Sequence, residues 1–135
     1  MRKHKISIDK VQEAFNAAIK RRDCRCMIRD FEPCEGHLEC SHYYTVGSSP
    51  AIRFHPMNAW TQCQAHHWRH HHAMESRHTY CEWMTENRPE DLARLDGMRH
   101  RFIRYTDALK AEIIRLCNDD RLDELQKLIE RELNA

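Results

Sequence analysis

The chain has 135 residues and a formal net charge of +1, and 41% of its residues are apolar and 32% charged. This length fits a single domain or a core with a helical appendage, and this composition suits a helix-rich soluble protein. No apolar run approaches the roughly twenty residues that cross a bilayer, and the sequence MRKHKISIDKVQEAF turns polar too early for a secretory leader. We therefore expect a cytoplasmic protein without a membrane partner, whose near-zero net charge gives no strong overall attraction to nucleic acid.

The first predicted element is a helix over residues 8–22, in which apolar residues recur at helical spacing. Ser7 is its expected N-cap, and the basic sequence KRR suits its C-terminus because cations are stabilised at the negative end of the helix dipole. Residues 23–37 are polar, rich in cysteine and contain Pro33 and Gly36. They predict a loop whose structure depends on something other than a hydrophobic core.

The middle of the chain predicts two strands followed by a helix. Residues 38–46 contain the β-branched and aromatic residues typical of a strand, GSSP predicts a turn, and residues 51–54 predict a second strand. The sequence HPMN then interrupts the chain, and a helix is expected from about residue 59 or 60 to Arg77. Four further segments carry apolar stripes that predict helices: TYCEWMTENR, PEDLARLDGMRHRFI, DALKAEIIRLC and DELQKLIERELNA.

Seven cysteines, an odd number, argue against a disulfide framework in a reducing compartment and favour metal binding. A structural Zn²⁺ takes four Cys or His ligands, usually as two closely spaced pairs. Cys63 and His66 form one such pair with C-x-x-H spacing. For the other pair we prefer Cys26 and Cys34, because their longer separation leaves room for tetrahedral geometry. Cys24 is the reserve candidate for this first pair.

The histidine run HHWRHHH offers a second metal site. His67 and His71 are four residues apart on the predicted helix, so their rings lie on one face a turn apart and suit one divalent ion. His66 and His70 are an alternative pair in the same arrangement. A histidine-rich helix would supply such pairs from its composition alone, so the spacing by itself does not establish a second metal site.

The order of His42 on a strand, Asn58 near the second turn and His67 at the start of a helix resembles that of the HNH endonucleases. The sequence LECSHYYTVGSSPAIRFHPMNAWTQCQAHHWRHH is similar to the core of phage-type members, including the NinG/Rap group of recombination proteins. The elements SHY, IRF…N and C-x-x-H-H-x-x-x-H carry the match, which covers about residues 24–75.

This resemblance implies an α+β fold with three parts. A zinc-stapled ββα-metal (HNH) core occupies residues 23–78. An N-terminal helix at residues 1–22 precedes this core, and a C-terminal helical region at residues 79–135 packs on it.

The resemblance also implies the roles of the site residues. His42 would be the general base, and His67 and His71 would hold a catalytic divalent metal such as Mg²⁺ or Mn²⁺. Asn58 would hold the loop that orients His42 through side-chain to backbone hydrogen bonds. Many HNH enzymes have Asp or His before the general base as a further metal ligand, and this chain has Ser41 there.

The expected function is hydrolysis of DNA phosphodiester bonds by a phage or prophage-derived endonuclease that acts in recombination or DNA processing. Arg53, Arg69 and Arg77 are candidate phosphate contacts, branched or recombination-intermediate DNA is the candidate substrate, and the helical tail is a candidate homodimer interface. The expected location is then the cytoplasm of a bacterium or phage-infected host cell. The alternative is a non-catalytic zinc module that binds nucleic acid or protein, and a third hypothesis is metal storage or sensing by the histidine run.

Overall fold

A computed structural model describes residues 5–29, 33–72 and 74–134, with the backbone alone for residues 74–78. Within these ranges the fold is α+β, as predicted, with one two-stranded sheet and six α-helices. The strands are β1 (Leu38–His42) and β2 (Ala59–Cys63). The helices are α1 (Ile8–Asp23), α2 (Gln64–His72), α3 (Met74–Asn87), α4 (Pro89–Met98), α5 (Asp107–Asn118) and α6 (Leu122–Leu133). None of the described helices is long and apolar enough to cross a membrane.

Helix α1 forms as predicted. The Ser7 hydroxyl accepts a hydrogen bond from the backbone N–H of Lys10 at 3.2 Å, which caps the first turn. The helix ends at Asp23 because Cys24 adopts a left-handed conformation with φ of 60°. Its apolar stripe is fully buried against the sheet and helix α5 and consists of Val11, Phe15, Ala18 and Ile19.

The sheet is antiparallel, with Leu38 paired to Cys63 and His42 paired to Ala59. The prediction of the second strand at residues 51–54 is wrong, because this segment begins with a 3-10 turn, Pro50–Ile52. Proline fixes φ and has no N–H to donate to a neighbouring strand, so Pro50 favours the turn over the strand.

The second strand of the sheet, Ala59–Cys63, lies where the sequence predicts a helix. The helix expected from residue 59 or 60 to Arg77 begins only at Gln64, because Ala59–Cys63 forms β2. All five residues of β2 are buried, so its sequence lacks the alternation of a half-exposed strand. The predicted strand 38–46 also ends early, at His42, and α3 begins at Met74, before the predicted position 79.

One hydrophobic core joins α1, the sheet and the C-terminal helices, with Phe15, Trp60, Ile113 and Ile129 among its members. The C-terminal helices begin with Pro89 at the first turn of α4, as predicted, and with the Thr106 hydroxyl capping α5. Only 3-10 turns lie between β1 and β2, and α2 follows β2 directly, so the chain from residue 38 to 72 has ββα order. This order places the histidines of α2 beside the strand that carries His42.

Candidate metal and catalytic site

Three cysteines and one histidine from separate segments converge at the start of α2. Cys26 and Cys34 lie in the loop after α1, Cys63 ends β2, and His66 lies in the first turn of α2. One donor atom from each residue lies within 4.8 Å of all the others. The Nδ1 atom of His66 is 2.9 Å from Sγ of Cys63, 3.4 Å from Sγ of Cys26 and 3.8 Å from Sγ of Cys34.

These distances fit a tetrahedral metal ion. With zinc bonds of about 2.3 Å to sulfur and about 2.05 Å to nitrogen, ideal geometry separates the two donors by about 3.6 Å. The cluster could therefore hold a structural metal ion such as zinc. The reserve candidate Cys24 is not part of the cluster: it is exposed, and its thiol donates to the carbonyl of Arg21 at 2.9 Å.

Backbone hydrogen bonds tie the cysteine loop to the sheet and to α2. The N–H of Met27 donates to Thr61 O at 2.8 Å, and the N–H of Gln64 donates to His37 O at 2.7 Å. Gly36, which directly precedes His37, has φ of +84°, and a Cβ there would lie 2.5 Å from Oε1 of Gln64. Glycine is therefore required at this position, because another residue would combine backbone strain with a collision.

Burial controls the ionisation of the cluster. Burial raises the pKa of the Cys26 thiol to about 12. Burial also acts to raise the pKa of Cys63, but hydrogen bonds from the backbone of His66 and Glu35 and from the neighbouring thiols hold it below its ordinary value. Metal ligation needs thiolates, so binding of an ion must release protons, and Cys63 is the thiol of the cluster that loses its proton most readily.

His42 lies at the end of β1 in a largely buried position against α1. Its Nε2 atom is 2.8 Å from the carbonyl oxygen of Arg53 and 3.4 Å from Nε2 of Gln12. A carbonyl at 2.8 Å needs a donor, so we infer that Nε2 carries the proton and Nδ1 carries the lone pair. We give weight to the shorter contact; with this tautomer the 3.4 Å contact with the Gln12 amide nitrogen, itself a donor, is not a hydrogen bond.

The pKa of His42 is lowered to about 4. Burial is the largest cause, and the charges of Arg53, His67 and His71 lower it further, against an opposing hydrogen bond to the Arg53 carbonyl. Helix α2, which carries His67 and His71, packs against β1, the strand that ends at His42. At neutral pH the ring is uncharged and able to accept a proton.

Asn58 holds the loop between the strands together. Its Oδ1 accepts from the N–H of Tyr44 at 2.9 Å, and its Nδ2 donates to Tyr44 O at 3.0 Å and to Ile52 O at 3.3 Å. Ile52 directly precedes Arg53, whose carbonyl oxygen contacts His42. These are side-chain to backbone hydrogen bonds of the kind that the resemblance implies, and they fix the group that orients the imidazole.

The His67 and His71 rings lie together on α2. Their Nε2 atoms are 3.0 Å apart. Metal–nitrogen bonds of about 2.1 Å would then enclose an angle of about 90°, as between neighbouring ligands of an octahedral ion. The pair therefore fits one divalent ion, although the described residues supply no third His, Cys, Asp or Glu donor close enough to form a group with it.

The alternative pair, His66 and His70, does not share a site. His66 directs Nδ1 at the cysteine cluster, whereas His70 is buried with its ring 4.8 Å from that of Tyr80. Ser41 is fully buried in the sheet, beside the backbone oxygen that accepts from the Tyr80 hydroxyl at 2.7 Å. Ser41 is therefore part of the packing between β1 and α3.

The three arginines proposed as phosphate contacts have different surroundings. The guanidinium of Arg53 donates twice to Oε1 of Gln12, at 3.0 and 2.9 Å, which holds its charge beside His42. Arg69 is partly buried and lines an open groove with Trp68 and Glu35. The side chain of Arg77 lies outside the described residues.

Two neighbours of the site were not identified from the sequence. Gln12 bridges Arg53 and His42 from α1, and Glu39 contacts Nδ1 of His67 through Oε1 at 3.0 Å. No local motif marks Gln12. No local motif marks Glu39 either, because side chains three residues apart in a strand point to opposite faces and its spacing from His42 does not predict a shared site.

Comparison of the chain with models of known protein families, with curated proteins and with solved structures found no match.

Proposed function

We propose that the protein is a metal-dependent endonuclease of the HNH type that hydrolyses DNA phosphodiester bonds. The observation that carries this proposal is the juxtaposition of two groups. A neutral imidazole at His42 is oriented by a backbone carbonyl at the end of β1, and α2, which carries the paired Nε2 atoms of His67 and His71, packs against that strand. A base beside a divalent metal site is the minimum that phosphodiester hydrolysis requires.

Each residue then has a defined task. His42 accepts the proton of the attacking water at Nδ1, while its Nε2–H stays bonded to the Arg53 carbonyl. Asn58 keeps that carbonyl in place through its contacts with the surrounding backbone. His67 and His71 hold the divalent ion, which when bound relieves charge at the phosphate and stabilises the departing 3′ oxygen.

The cysteine cluster has a structural task in this proposal. A metal ion held by this cluster would join the loop after α1 to the start of α2, and would thereby fix the helix that carries His67 and His71. A two-stranded sheet with one helix buries too little apolar surface to fold well alone, so a metal ion contributes folding free energy. Arg53, held next to His42 by Gln12, provides the positive charge for a bound phosphate.

Plasmid nicking tests the proposal. Purified zinc-loaded protein is incubated with supercoiled plasmid and Mg²⁺, Mn²⁺ or Ni²⁺, and the open-circular product is quantified. We expect nicking by the natural protein and by the control His100→Ala, which removes an exposed histidine far along the chain. We expect loss of nicking in His42→Ala. Equal nicking by all three proteins would assign the activity to a contaminant and refute the role of His42.

The second candidate is a zinc module that binds nucleic acid or protein without cleaving it. The observation in its favour is that Ser41, at the position where many HNH enzymes have a metal ligand, is fully buried in the sheet. This candidate predicts one metal ion per chain at the cysteine cluster and DNA binding without cleavage in any of the three metals.

A further inference from the structure

We propose that Glu39 is a positioning residue that sets the protonation and orientation of His67, so that Nε2 of His67 is the metal-binding atom. This inference rests on the proposed divalent metal site, and it goes beyond that site by naming the group that prepares it. Glu39 lies on β1 and His67 on α2, so the contact also joins the sheet to the helix.

Both oxygens of the Glu39 carboxylate are engaged. Oε1 is 3.0 Å from Nδ1 of His67, and Oε2 is 2.9 Å from Nε2 of His37. The carboxylate is about one-third exposed, at 34%, whereas the His67 side chain is 22% exposed. The His67 ring is thus the more enclosed partner, and His37 restrains the carboxylate from its other side.

The carboxylate decides which nitrogen of His67 bears the proton. An ionised carboxylate accepts hydrogen bonds and donates none, so Nδ1 of His67 must be the donor. The neutral ring then carries its lone pair on Nε2, the atom that lies 3.0 Å from Nε2 of His71. A carboxylate on the far nitrogen of a metal-binding histidine fixes the tautomer and ring orientation and increases the basicity of the ligand.

The alternative is an ordinary surface ion pair, which would give Glu39 no influence on metal binding. The connected geometry favours positioning, because Glu39, His67 and His71 are joined in sequence by two contacts of 3.0 Å. An ordinary surface ion pair would not require the carboxylate to contact Nδ1 of His67, the ring nitrogen opposite the one that faces His71.

The test uses full-length zinc-loaded protein and Mn²⁺ as the probe. Binding of Mn²⁺ is measured by the electron paramagnetic resonance signal of the free ion, and the tautomer of His67 is read from ¹⁵N chemical shifts without Mn²⁺. The variants are Glu39→Ala, Glu39→Gln and the control Glu82→Ala, which removes an exposed carboxylate on α3. Glutamine keeps an acceptor oxygen for Nδ1–H and removes the charge.

We expect the proton on Nδ1 of His67 in the natural protein. Glu39→Ala should weaken Mn²⁺ binding about 10- to 100-fold. Glu39→Gln should recover most of that loss, and Glu82→Ala should bind as the natural protein does. Unchanged Mn²⁺ affinity in Glu39→Ala, a proton on Nε2 of His67, or no Mn²⁺ binding by the natural protein would each overturn the inference. Mn²⁺ binding with the expected pattern but no plasmid nicking would support Glu39 and refute the nuclease.

Discussion

Replacement of Asn58 by alanine should destabilise the protein well beyond the loss of one hydrogen bond. The side chain is fully buried and makes three hydrogen bonds, to the N–H and C=O of Tyr44 and to the C=O of Ile52. A hydrogen bond contributes about 1 kcal/mol net, and a buried group left without a partner costs about 1–3 kcal/mol. Because three hydrogen bonds are lost and their backbone partners stay buried, we expect a loss of about 2–4 kcal/mol in the free energy of unfolding.

Urea unfolding at pH 7.5 measures this loss, with free zinc held at a fixed excess so that ligand binding contributes equally to every variant. Asn58→Asp should be at least as unstable as Asn58→Ala, because its carboxylate would face two carbonyl oxygens. The matched control is Asn87→Ala, which removes one hydrogen bond of an exposed side chain to Trp83 O and should cost less than about 1 kcal/mol. If Asn58→Ala and Asn87→Ala lose the same stability, the loop is not held as described.

Three further predictions concern the loop, the pH dependence and the metal cluster. Gly36→Ala should lower the free energy of unfolding by about 1–3 kcal/mol and weaken zinc binding, because φ is +84° and the new Cβ meets Gln64. The control Gly97→Ala in α4 adds a Cβ that meets nothing, so it should be neutral or stabilising. Burial lowers the pKa of His55, so below about pH 6.5 the unfolded chain binds a proton that the folded protein resists. Stability should therefore fall on acidification, by up to about 1.4 kcal/mol per pH unit for this group, and urea titrations at pH 7 and pH 5 should show a shallower fall in His55→Gln. Cys63→Ser removes one of four donors and should reduce the zinc retained after gel filtration, while Cys24→Ser should retain as much as the natural chain.

The elements that could be predicted are those whose own sequence carries the capping residue and the periodic apolar residues of the element. Helix α1 has a side-chain cap at Ser7 and a single buried stripe, so its periodicity is visible in the sequence. Strand β2 could not be predicted in this way. It is covered on both faces, and burial of all five residues removes the alternation by which strands are recognised.

The metal cluster could be predicted from spacing along the chain, whereas the neighbours of the proposed catalytic residues could not. Cys63 and His66 are close in sequence, and the choice of Cys26 and Cys34 over Cys24 followed from the space that tetrahedral geometry requires; the structure brings these four donors together. The Glu39 and Gln12 contacts depend on how α1 and α2 pack against the sheet. Spacing along the chain carries no record of that packing, so only the folded structure reveals them.

The central claim is that α2 presents two different metal sites, one made by thiolates and one beside His42. Anomalous diffraction from crystals of the zinc-loaded protein soaked in Mn²⁺ tests it most directly, since the two metals are distinguished by their absorption edges. We expect a zinc peak bonded to the three cysteine sulfurs and Nδ1 of His66, and a separate manganese peak bonded to Nε2 of His67 and His71. A zinc peak alone, with no manganese between those two rings, would contradict the catalytic site and leave a zinc-stabilised scaffold.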